Sequence, residues 1–124
     1  EQREEKQNIL AWENLELEDI IHMINTNIKN SSIRIENLFK SIFLNIPNTS
    51  IHLEDNSAII RHIDAINIDS ASIEIIEKDY GYKISYWDGY SLAEEEIQKD
   101  LNKSLKVFKR YAKKLAKNLL RFSQ

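Results

Sequence analysis

Cysteine is absent from this 124-residue chain, which excludes a disulfide framework, a thiolate zinc site and a thiol nucleophile. A chain without cysteine fits a reducing compartment, and we expect an intracellular, cytoplasmic setting. Glycine occurs twice and proline once, too little for collagen-like or flexible-linker sequence or for a glycine-rich loop that cradles phosphate. Apolar runs such as Ile42-Phe43-Leu44 fall far short of the roughly 20 residues that carry a helix across a bilayer. Charge of one sign is also lacking overall. Lys and Arg number 17 against 20 Asp and Glu, a net charge of -3, so no global positive field favours nucleic acid as a partner. No secretory apolar stretch opens the chain, which starts at Glu1; we read it as one domain over residues 1–124, cut from a longer protein.

What is abundant is isoleucine, 20 residues against the single Val107, and its spacing divides the chain into three zones. Over residues 1–29, Leu10, Leu17, Ile21, Ile24 and Ile28 recur at helical intervals between acidic residues, predicting a long amphipathic helix. Over residues 31–88, apolar and polar residues alternate in Ile33/Ile35, Ile42/Leu44/Ile46, Ile51/Leu53, Ile66/Ile68, Ile73/Ile75 and Tyr82/Ile84/Tyr86. Alternation of that kind predicts strands. Turn residues separate them at Pro47-Asn48, Asp55-Asn56-Ser57, Asp69-Ser70, Asp79-Tyr80-Gly81 and Asp88-Gly89, spacings too short for parallel crossovers. An antiparallel meander of about four to six strands is therefore expected, with Ala58 to Ile63 readable as strand or helical turn. Residues 91–122 read as a second long helix. Ser91 with Glu94 makes a capping box, and the acidic run Glu94-Glu95-Glu96 suits the positive end of a helix dipole. Leu101, Leu105, Phe108, Ala112, Leu115, Leu119 and Phe122 follow a 4,3 spacing over three heptads, the pattern of a packing seam. The fold class is α+β: a long helix, an antiparallel sheet of isoleucine-rich strands, and a second long helix over one sheet face.

Two patterns point to contacts. In the first helix, setting Leu10, Leu17 and Ile24 at heptad d places Asn14, Ile21 and Ile28 at a, and a lone Asn at a fixes register in coiled-coil dimers. Leu10, Asn14, Leu17, Ile21, Ile24 and Ile28 are thus candidate dimer or partner contacts, unless the helix packs on its own sheet. The aromatic strand adds Tyr82, Tyr86 and Trp87 as a candidate partner-binding edge, because Tyr and Trp dominate interface hot spots; the alternative is a core strand beneath the helices.

The last helix carries the strongest charge signal. Lys103, Lys106, Lys109, Arg110, Lys113, Lys114, Lys117 and Arg121 give +8 over residues 101–124, which hold no acid, and leave -11 for the remainder. Either the acidic first helix lies near this one, or Lys106, Lys109, Arg110, Lys113, Lys114, Lys117 and Arg121 meet an anionic surface such as a membrane. Catalytic patterns are missing. No Gly-x-Ser-x-Gly elbow or His-Glu-x-x-His helix occurs. His52 with Glu54 and His62 with Asp64 could contribute to a metal site only if their strands brought all four together. We expect no cofactor, no metal and no enzymatic activity. The expected role is a protein-interaction and dimerisation module, a scaffold subunit forming a homodimer or joining another protein.

Lipid handling is the alternative. Asp19 to Glu36, an amphipathic helix running into alternating isoleucines, together with Ile51 to Ile76, resembles segments of the chorein-type bridge-like lipid-transfer proteins. The resemblance covers less than half of the chain and implies a lipid or an anionic membrane as the partner.

Overall fold

The computed structural model describes residues 27–64, Ile66 and residues 70–122. A 3-10 turn, Lys29–Ser31, leads into helix α1 (Ser32–Phe43); strands β1 (Thr49–Leu53), β2 (Ser57–His62), β3 (Ser72–Lys78), β4 (Gly81–Trp87) and β5 (Leu92–Gln98) follow, and helix α2 (Leu101–Phe122) completes the order. The five strands form one antiparallel sheet in sequence order. This is the α+β class, with both helices on one sheet face.

Strand parity builds that face. The register aligns Ile60, Ile73 and Tyr86, and next to them Ala58, Ile75 and Ile84, all buried. Against them α2 lays Leu101, Leu105, Phe108, Tyr111, Ala112 and Leu115, each at most 3% exposed. The 4,3 seam of this helix is therefore spent inside the chain's own core and leaves no coiled-coil stripe on the surface. Four turns fall where Pro47-Asn48, Asp55-Asn56, Asp79-Tyr80 and Asp88-Gly89 stand. Asn48 takes a left-handed φ of 62°, a conformation Asn tolerates because its short side chain can bond locally. Gly81 is required at the β3–β4 turn. Its φ is 134°, and an added Cβ would lie 2.5 Å from the carbonyl oxygen of Gln98.

Four expectations need correction. Residues 32–43, read as strands, form a helix. Ile35, Leu38, Phe39, Ile42 and Phe43 recur at three and four and turn toward the core, whereas Ile33 and Leu44, the partners in the alternating pattern, are 74% and 78% exposed. Together with the 3-10 turn this helical stretch before the sheet is short, and the long helix expected over residues 1–29 lies, up to residue 26, outside the described residues. Residues 92–98, read as the first turns of the last helix, form edge strand β5 instead. Pairing with β4 overrides the helical preference of the glutamates. Helix α2 starts after Asp100, whose Oδ2 accepts a hydrogen bond from the Lys103 backbone N–H at 3.2 Å. Ile66, assigned to a strand with Ile68, lies outside any strand and is 94% exposed; Ile68 falls outside the described residues. The ambiguous stretch Ala58 to Ile63 contributes to β2, with Ile63 just past its end.

Candidate functional site

Helix α2 presents three different sides. Its apolar side covers the sheet. The flank beside β5 carries Arg110 and Lys114, opposite Glu96 and Glu94, whose side chains share the inner parity of the edge strand. Arg110 Nη2 donates to Glu96 Oε2 and Lys114 Nζ donates to Glu94 Oε2, both at 2.5 Å. The hydrogen bond that Arg110 donates to Glu96 holds its guanidinium pKa above the usual value. Tyr111 packs into the same corner; its hydroxyl donates to Glu96 Oε2 at 3.5 Å, and burial followed by the Glu96 charge raises its phenol. Next to it Asn118 Nδ2 donates to the Tyr86 hydroxyl at 2.9 Å, and burial raises the Tyr86 phenol as well.

The third side faces away from the sheet. Lys106, Lys109, Lys113 and Lys117 are spaced 3, 4 and 4, forming one stripe, and all four are exposed. None of the four has an ion-pair partner among the described residues. The stripe borders the seam between the helices, which run side by side: Arg34 Nη1 donates to Asn102 Oδ1 at 2.9 Å near their N-terminal ends. Two shallow clefts open there. One, about 440 Å³, is lined by Ile35, Leu38, Lys106 and Lys109 among others; the other, about 460 Å³, by Ile42, Ala116 and Leu120 together with Lys113, Lys117 and the paired Arg110 and Lys114. Leu38 and Ile42 are only partly buried and Leu120 is 51% exposed. An apolar furrow edged by ammonium groups that meet no acid among the described residues is the result. Such a surface can bind an acidic group through its cations and an aliphatic or aromatic side chain through its floor.

The remaining candidates from the sequence are dispersed. Leu10, Asn14, Leu17, Ile21 and Ile24 lie outside the described residues. Ile28, expected at a dimer seam, is fully buried in the chain's own core, because the turn into α1 directs it inward. Tyr82 and Tyr86 are buried at 7% and 4% exposure in a strand flanked by β3 and β5, so the aromatic strand is a core strand and not an edge. Trp87, of opposite parity, is half-buried on the outer face. Arg121 is exposed at the end of α2. His52 and His62 sit on opposite faces of the sheet, since their partners are Ile59 and Thr49; His52 meets Glu54 at 3.1 Å. Among the described residues no group of three or more His, Cys, Asp or Glu side chains is placed to hold a metal ion, and no helix is long and apolar enough to cross a membrane.

Sequence reasoning missed the pairing of Glu94 and Glu96 with Lys114 and Arg110, and the furrow itself. The available signals were Asp100, an acceptor residue directly ahead of the apolar period that begins at Leu101, and the i, i+3, i+7 spacing of Ile35, Leu38 and Ile42. No family model, curated protein or solved structure matches this chain.

Proposed function

We propose that this chain is a non-catalytic assembly module that receives an acidic amphipathic helix in the furrow between α1 and α2. One observation carries the reading: Lys106, Lys109, Lys113 and Lys117 have no ion-pair partner among the described residues along the Leu38, Ile42 and Leu120 furrow, whereas Arg110 and Lys114, which line one of its clefts as well, are matched by strand acids. Four like charges in one row repel one another, and an acidic helix laid alongside relieves that repulsion while covering the apolar floor. The row sets the choice of partner sign and speeds encounter; the apolar floor supplies affinity.

The test is a titration of the full chain with a three-heptad synthetic helix bearing Leu at a and d and Glu at most other positions, against a counterpart with Lys for Glu. The acidic peptide is expected to bind, with affinity falling as added salt shortens the screening length, and the basic one not to bind. Equal binding of the two peptides, or of neither, contradicts the reading. Flotation with phosphatidylserine vesicles addresses the lipid alternative: retention on vesicles without any acidic-peptide binding would transfer the lysine row to a membrane role.

A further inference from the structure

We infer that two copies of this chain join through the outer edge of β1, paired antiparallel about a two-fold axis so that their sheets become one; the inference is independent of what the furrow binds. Hydrogen bonds from the Glu54 N–H to the Ser57 carbonyl at 2.9 Å and from the Ile63 N–H to the Asn48 carbonyl at 2.7 Å continue the β1–β2 register. Successive residues of an antiparallel strand turn their backbone groups to opposite sides. Asn48, Ser50, His52 and Glu54 therefore face β2, and the N–H and C=O groups of Thr49, Ile51 and Leu53 face away from it. Those groups have no backbone partner among the described residues. A row of that kind is a template for another strand.

The two edges of the sheet are not alike. β5 carries Glu94, Glu95 and Glu96, and its pairing with β4 shifts register at Tyr86 and Trp87; charges and bulges are devices that keep an edge from pairing. Symmetric pairing over the whole of β5 would also set Glu95 against Glu95 and Glu94 against Glu96, and like charges directly opposite repel. β1 has no Asp, Glu, Lys, Arg, Pro or Gly, and its register with β2 is unbroken. Symmetric pairing over the whole of β1 sets Thr49 against Leu53, Ser50 against His52 and Ile51 against itself, and just beyond the strand Glu54 meets Asn48. No like charges come opposite each other. The pairs made by Thr49, Ile51 and Leu53 are those in which each residue exchanges two backbone hydrogen bonds with its opposite. Side chains agree with backbone. Ile51 and Leu53 pair with Ile60 and Ala58, which are fully buried, yet are themselves only partly buried. Joining the edges extends this apolar row across the junction and covers what β1 leaves open. A self-complementary strand of this kind suits an isologous contact, in which a second copy of this chain is the partner.

Light scattering on the full chain at high micromolar concentration should give twice the chain mass of 14.6 kDa, and a monomer there overturns the inference. The edge is then tested by charge. Ser50 and His52 are exposed on the outer sheet face, so Ser50→Glu with His52→Glu leaves the core untouched and places acid opposite acid across the junction. That double variant should fall to the mass of one chain with a melting temperature near the parent's. Ser50→Lys with His52→Lys should do the same, and an equal mixture of the two variants should regain the doubled mass. A doubled mass kept by either variant alone assigns the contact to another surface and overturns the inference, as does a mixture that stays monomeric. Because the chain has no cysteine, cross-linking gives a reading that survives a variant that fails to fold. Positions 50 and 52 form a non-hydrogen-bonded pair across the junction, with Cα atoms about 4.5 Å apart, within disulfide range; two copies of either position lie on the diagonal, further apart. Mild oxidation should therefore link a mixture of Ser50→Cys and His52→Cys chains far more completely than either alone. Equal linking in the mixture and in the single variants, or none, contradicts the pairing.

Discussion

The two charged flanks of α2 are made of the same residue types a few positions apart, and they serve opposite ends. Toward β5, Arg110 and Lys114 meet Glu96 and Glu94, which the edge strand holds at fixed inward positions. Those cations close the fold: they neutralise acids that would otherwise sit beside an apolar core. Toward solvent, Lys106, Lys109, Lys113 and Lys117 meet no acid among the described residues. The difference teaches that six of the eight positive charges of the helix form two rows of different kind, a pair matched by strand acids and a row of four that meets no acid among the described residues.

The comparison breaks most visibly on the helix's apolar side, where charge plays no part. Phe108→Ala empties a site with no solvent exposure and should cost about 3–5 kcal/mol in chemical denaturation. A loss under about 1 kcal/mol would mean that α2 is not seated on the sheet. Gly81→Ala comes next, at about 1–3 kcal/mol, because alanine is strained at a φ of 134° and its Cβ meets the Gln98 carbonyl. No measurable loss would show that the β3–β4 turn has another geometry.

Proton uptake sharpens the contrast between buried and exposed groups. Burial raises the phenols of Tyr82, Tyr86 and Tyr111 above the ordinary value of 10.0. A group whose pKa is raised by folding contributes stability that is complete below its unfolded value and is lost as pH climbs through the folded one. Stability should accordingly hold to about pH 10 and decline above it, with these three phenols ionising later in the folded chain than in the unfolded one by ultraviolet difference absorbance. Ionisation of Tyr82, Tyr86 and Tyr111 in the folded chain at the ordinary value would contradict the packing of α2 on β4.

The smallest effects separate the two flanks themselves. Lys114→Ala removes a half-exposed pair and should cost about 0–1 kcal/mol, less in high salt, whereas Lys113→Ala should change stability by no more than about 0.5 kcal/mol. If thermal melts instead rank Lys113 as the more costly loss, the unpaired row is holding the fold together and is not free for docking.

How much of this was legible follows from which periods were unambiguous. The strands carrying Ile73/Ile75 and Tyr82/Ile84/Tyr86 alternate strictly between turn residues, and the heptad spacing after Leu101 admits only a helix. Residues 32–43 were ambiguous because Ile33, Ile35, Ile42 and Leu44 satisfy period two while Ile35, Leu38, Ile42 satisfy the helical period, and only burial decides between them. The acidic run in β5 looked helical because its strand character comes from β4 and from Arg110 and Lys114, partners 14 and 20 residues further on than the glutamates they meet. A basic helix was plain from composition. The division of its cations into paired and unpaired rows was not, since that depends on which side of α2 lies against the sheet.

A sign reversal puts the docking face to its most direct trial. With Lys106, Lys109, Lys113 and Lys117 all changed to Glu in the full chain, titrated with the acidic and the basic synthetic helices, preference should switch to the basic peptide while the melting temperature stays near that of the parent chain. Retention of the parent's peptide preference by a folded quadruple variant would contradict the assignment of this row to partner recognition.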